Sequence, residues 1–187
     1  NTSLTIYFGR HFWGLTTAEM GALQLPYFLS AFAALFVAPW CAGRWGKKNA
    51  AIVPSVLAVI MTPLPIVLRL LDLFPLNGTI ELYYTLMAFY TVDVMLMIAA
   101  AILTAAMLAD VVEDSELATG RRSEGSFFAA SSFVQKAING LGVVLAGQIL
   151  AAVNFPEHAQ PGTVPASVLD DLAVAFIPAI VVLYLCA

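Results

Sequence analysis

The sequence predicts an all-α membrane protein, a bundle of six transmembrane helices. Three observations lead there. Hydrophobic residues make up 61% of the 187-residue chain and charged residues only 11%, with a mean hydropathy of +0.90. Soluble domains carry about 25% charge, because a small body must hydrate a large surface. The charges are also clumped: residues 20–43, 49–68, 137–156 and 172–187 contain none, 82–109 only Asp93, and 125–156 only Lys136. A bilayer core of about 30 Å needs about 20 apolar residues of helix. Nucleic-acid binding and soluble enzyme chemistry fit such a chain poorly.

Six apolar segments follow in order: 1–14, 20–42, 50–71, 81–109, 126–153 and 171–187. The first is about 21 Å long as helix and too short to span, and the charge-free end, 172–187, is about 24 Å. Both are expected to be cut helices of a longer chain. The third segment carries Pro54, Pro63 and Pro65, which remove backbone hydrogen bonds and predict a bend. The connections are 15–19, 43–49, 72–80, 110–125 and 154–170. Two of them, GRWGKKN (43–49, with Arg44, Lys47 and Lys48) and 110–125 (with Arg121 and Arg122), hold five of the eight basic residues. The positive-inside rule places both in the cytoplasm. As the second and fourth connections they agree with alternating helices in a plasma (inner) membrane.

The remaining outer segments are ordinary. Residues 154–170 are rich in proline and read as ordered turns, with Ser167 an N-cap for the last helix. Asn77-Gly78-Thr79 matches a glycosylation acceptor, though a turn is the plainer reading. His11 and His158 stand singly, and Cys41 and Cys186 read as buried free thiols with no metal-site spacing. No enzyme signature and no metal site are expected.

Two charges lie inside spans, where insertion costs at least about 2.5–3.5 kcal/mol each. Asp93 lies about 18 Å below the end of its helix at Glu81, and Lys136 about 15 Å from the opposite end of its own at Ser126. In a core of about 30 Å the two fall at similar depth. They could pair and merely fix helix packing, or line a wet cavity. Ser132, Gln135, Lys136 and Asn139 share an arc of about 100° on the fifth helix, continued by the small residues Gly142 and Ala146. This is either interhelical glue or one wall of a hydrophilic cavity. On the fourth helix Phe89, Tyr90, Asp93, Met97 and Thr104 share a face, and rings beside a carboxylate suit a sugar-like ligand as well as packing. Asp110, Glu113, Glu124 and the neighbouring arginines form the densest charge cluster, which is either solvated or a cytoplasmic latch between helices.

The stretch ADVVEDSELATGRRSEGSFFAASSFVQKAINGLG (109–142) resembles the cytoplasmic loop and eleventh helix of the glycoside-pentoside-hexuronide:cation symporters, melibiose-permease-like members of the major facilitator superfamily. An Ala-Asp, an acidic cluster, a Gly-x-Arg-x-Glu-Gly-like run and a Lys twelve residues after its Glu are kept, here as Glu124 and Lys136. Glu113-Asp114 stands where Asp-Tyr is more usual. GRWGKK, after Pro39-Trp40, resembles the superfamily's basic loop between its eighth and ninth helices. The resemblance covers essentially the whole chain. It implies residues 1–187 as the C-terminal half of a twelve-helix fold, partnered in the bilayer by an N-terminal six-helix half. It further implies cation-coupled symport of a sugar, glycoside or related small solute by alternating access. Lys136, Asp93, Gln135, Asn139, Ser132 and Tyr90 would line the cavity. Asp110, Glu113, Arg121, Arg122, Glu124, Arg44, Lys47 and Lys48 would form the cytoplasmic gate. A coupling Na+ or H+ would bind mainly in the N-terminal half. A lysolipid transporter of the same family and a non-transporting sensor or scaffold reusing the fold are the alternatives.

Overall fold

The computed structural model describes residues 2–120, 124–156, 159–160 and 162–186. Its elements are α1 (Thr2–Tyr7) running into a π-helix (Phe8–Phe12), α2 (Thr17–Ala22), α3 (Leu25–Met61), α4 (Leu64–Leu70), α5 (Ile80–Thr119), α6 (Glu124–Ala152) and α7 (Ala166–Cys186). Among the described residues, four stretches are long and apolar enough to cross a bilayer: Thr17–Leu70, Ile80–Thr119, Glu124–Ala152 and Ala166–Tyr184. By this measure the expected count of six is not reached, for two physical reasons. Segment 1–14 resolves into two short helical pieces. The second and third expected helices run together in α3, because the basic connection 43–49 is itself helical except at Gly46 (φ 74°, ψ 154°). That backbone conformation is open to glycine and strained for other residues.

The chain divides into two units, one comprising Leu25–Thr62 and Phe89–Gln135, the other Asn1–Gln24, Pro63–Ala88 and Lys136–Ala187. In the first, three polar contacts fix the course of α3 along α5. Ser30 Oγ donates to the Thr91 carbonyl at 2.7 Å. Thr62 Oγ1 lies 3.0 Å from Asp93 Oδ1. Lys47, beside the Gly46 break, reaches Asp110 at 2.7 Å. Ser30 and Thr62 lie near opposite ends of the α3 stretch yet meet α5 two residues apart, so the chain reverses at Gly46. The return limb rises alongside the stretch from Asp93 to Asp110, about 25 Å of helix. Small residues make this close approach workable: the core is Ala34, Ala38, Cys41, Ala50, Ala51, Ala99 and Leu103. Large side chains point the other way. Phe28 is 75% exposed and Ala38 0%, a profile suited to a surface solvated by lipid tails.

The other unit is packed on rings. Phe8 meets Phe12 and Phe176 at centroid distances of 5.4 and 4.8 Å, and Trp13 meets Phe12 and Phe74 at 4.8 and 5.3 Å. Asn77 Nδ2 donates to the Phe12 carbonyl at 2.7 Å, which satisfies the end of the π-helix. The side chain of the expected turn Asn77-Gly78-Thr79 is therefore engaged structurally. Thr16 and Glu19 form a reciprocal capping box at the start of α2, the device that satisfies two orphan N–H groups at once.

Several expected boundaries are corrected. α5 continues to Thr119, ten residues beyond the expected end at 109, so Asp110 and Glu113 stand on a helix instead of a loop. Residues 110–119 contain neither glycine nor proline, and the helix stops where Gly120 adopts φ 66° and its N–H bonds the Glu116 carbonyl, an αL C-terminus. The third expected helix is divided, α3 ending at Met61 and α4 starting at Leu64. Pro63 and Pro65 offer no N–H to the carbonyls of Val59 and Met61. α7 begins at Ala166, straight after Pro165, so Ser167 sits inside the first turn and is not the N-cap. Cys41 is a buried free thiol as expected; the side chain of Cys186, His158, and Arg121 and Arg122 lie outside the described residues.

Candidate functional site

α6 carries the polar stripe. Ser132, Gln135, Lys136 and Asn139 lie along a helix that is otherwise apolar enough to span, and all four are exposed. One turn and two turns further on, Gly142 and Ala146 are buried and line a small gap together with Leu4, Phe176 and Ile180. The small pair thus serves helix packing, and the polar residues before it are left open. An exposed lysine and its amide and hydroxyl neighbours in a spanning helix can hydrogen-bond a solute rich in hydroxyls. In bare hydrocarbon they would be costly, at least about 2.5 kcal/mol for the lysine alone.

Tyr90 is half-buried on α5, one turn before Asp93. Asp93 faces Thr62, whose hydroxyl also lies 2.9 Å from the Ala58 carbonyl. Thr62 was not among the expected site residues. Its signal in the sequence is a hydroxyl immediately before Pro63, at a position where a helix must end. Asp93 belongs to the first unit described above and Lys136 to the second, so their pairing remains an expectation.

The expected gate residues separate into those that meet and those that do not. Lys47 Nζ donates to both oxygens of Asp110, at 2.8 and 2.7 Å. This bidentate pair ties the α3 bend to α5 within one unit. Arg44 stacks over the Trp40 ring at 5.9 Å, and Trp40 and Trp45 lie edge to face at 5.9 Å. Trp40 thus holds one cation of the bend, Arg44. Lys48 and Glu113 are exposed. Glu124 opens α6 as the acidic residue of its first turn, where it complements the positive end of the helix dipole. Among the described residues no group of three or more His, Cys, Asp or Glu is placed to hold a metal ion.

Over residues 1–187 the chain matches the family described as MFS/sugar transport protein. It is also 29% identical over 161 residues to the isoprimeverose transporter of Lactiplantibacillus pentosus. That match covers 85% of this chain and 31% of the relative, so the chain spans about a third of the relative's length. No solved structure matches.

Proposed function

The chain belongs to the MFS/sugar transport family, and from that premise we propose that it forms the C-terminal bundle of a cation-coupled symporter for a sugar or glycoside. The carrying observation is the open polar stripe on α6. Lys136 sits exposed with Gln135 and Asn139 on a span, with Ser132 one turn before, and such a face is tolerated where it borders water or a polar solute. In this reading the stripe is one wall of a midplane cavity. The opposing wall comes from a second six-helix bundle, in which the coupling Na+ or H+ mainly binds.

The Lys47–Asp110 pair supplies a cytoplasmic latch. It holds the basic bend against the end of α5 in one conformation and would release in the other, giving the two-state element that alternating access requires. Segments 43–49 and 110–125 then lie on the cytoplasmic side of a plasma membrane, as their basic residues favour.

Isoprimeverose, the solute in the relative's name, is the first substrate to try. Counterflow of the labelled sugar into proteoliposomes holding the full-length transporter should fall at least about tenfold in Lys136→Ala, a loss of about 1.4 kcal/mol. Lys136→Arg should retain part of it. Wild-type flux in a normally folded Lys136→Ala protein would remove the stripe from the solute path.

A further inference from the structure

The Thr62 hydroxyl has one hydrogen, and the Ala58 carbonyl and the Asp93 carboxylate are both acceptors within its reach. Its Oγ1 lies 2.9 Å from the Ala58 carbonyl oxygen and 3.0 Å from Asp93 Oδ1. A carbonyl only accepts, and an ionised carboxylate only accepts. With Asp93 charged, the single hydrogen is shared between the two acceptors or given to one of them, so the pair is held by less than two full hydrogen bonds. With a proton on Asp93 both become hydrogen bonds, in the order Asp93 Oδ1–H to Thr62 Oγ1, and Thr62 Oγ1–H to the Ala58 carbonyl.

Local geometry favours the second arrangement. Hydroxyls in helices return their proton to the carbonyl four residues back. Ser55 does so to Ala51 at 2.8 Å, and Thr119 to Ser115 at 2.6 Å. Thr62 stands in the same relation to Ala58, which is buried at 2% exposure. Thr62 Oγ1 can donate to either oxygen, and when its proton goes to the backbone a lone pair is turned to Asp93.

Along α3, α4 and α5 themselves no further charged side chain lies within one turn of Thr62 or Asp93. On α5 the nearest are Glu81 and Asp110, twelve and seventeen residues away, and Tyr90 is the titratable side chain within one turn. Towards Thr62 the nearest are Lys48, fourteen residues before, and Arg69, seven residues after. Arg69 Nη1 donates to the Pro75 carbonyl at 3.5 Å, and Lys47 and Asp110 are engaged with each other.

We propose that Asp93 is a proton-binding site, with Thr62 and the Ala58 carbonyl as the acceptor chain that holds the proton in place. The proton arrives from water at Asp93 Oδ1 and leaves by the same route, with no other bond made or broken. This adds to the symport reading a proton site within this chain, and its first readout needs no transport.

Infrared difference spectra of the full-length transporter in lipid nanodiscs, taken between acid and alkaline buffer, test it. A carboxylic-acid C=O band should appear on the acid side and vanish in Asp93→Asn. Thr62→Val should shift the band to higher frequency by removing its acceptor, and Thr62→Ser should restore it. A band identical in wild type and Asp93→Asn overturns the assignment. Should Asp93→Asn fail to accumulate, identical spectra in wild type, Thr62→Val and Thr62→Ser overturn it equally. In proteoliposomes the pH dependence of sugar counterflow should flatten in Thr62→Val and persist in Thr62→Ser. A band that behaves as stated without any sugar flux would sink the symport reading and leave the proton site standing.

Discussion

The unit built around α3 and the middle of α5 packs on alanine, whereas the unit holding α1, α4 and α7 packs on aromatic rings. In the first, Ala34, Ala38, Ala50 and Ala99 are wholly enclosed, and hydroxyl and charged side chains tie the helices by three contacts at two levels. In the second, Phe8, Phe12, Trp13, Phe74 and Phe176 form a connected chain of edge-on and tilted rings. The difference teaches that the two cores fail in opposite ways. An alanine seam has little to lose by truncation but no room for growth. A ring cluster loses a large contact area and leaves a void when one ring goes.

The comparison can be broken at three points, from the largest expected effect to the smallest. Phe176→Ala should destabilise the protein by about 3–5 kcal/mol, read as loss of denaturation midpoint in detergent micelles. A loss under about 1 kcal/mol would mean that the rings are not the core of that unit. Ala38→Leu, an enlargement of an enclosed position, should cost about 1–3 kcal/mol by the same measurement. Unchanged stability there would refute close approach of α3 to α5. Lys47→Ala should change stability by less than about 1 kcal/mol, since exposed ion pairs contribute little. Its effect should shrink further in high salt, whereas any role as a latch shows in flux instead. Equal stability losses in all three variants would erase the distinction between the units.

The division of labour in the sequence explains what was legible. Charge scarcity marked every long apolar stretch, because hydrocarbon excludes charge so strongly that its signature needs no context. The same scarcity isolated Asp93 and Lys136 and the basic bend. Gly142 and Ala146 were also legible as a packing pair, since only small residues allow helices so near. Helix ends were less so. The acidic run 110–119 resembles a loop by its polarity, yet lacks any breaker before Gly120, and a helix extends through polar sequence when nothing stops it. Thr62 was missed because its importance comes from a chain reversal sixteen residues earlier, at Gly46. No local pattern announces that Ser30 and Thr62 will meet α5 two residues apart. The rings of the π-helix were equally hidden, as they collect with Phe74 and Phe176 from three separate stretches of chain.

The reversal at Gly46 also bears on how the protein is made. Residues on both limbs of α3 are apolar, and three cations, Arg44, Lys47 and Lys48, crowd the tip between them. Carrying each across hydrocarbon would cost at least about 2.5 kcal/mol. The two limbs can therefore enter the bilayer together as a hairpin whose tip never crosses. The aromatic rim of Trp40 and Trp45 then floats that tip at the headgroups. Gly46 would in this sense set how far the inserting chain travels before it turns back.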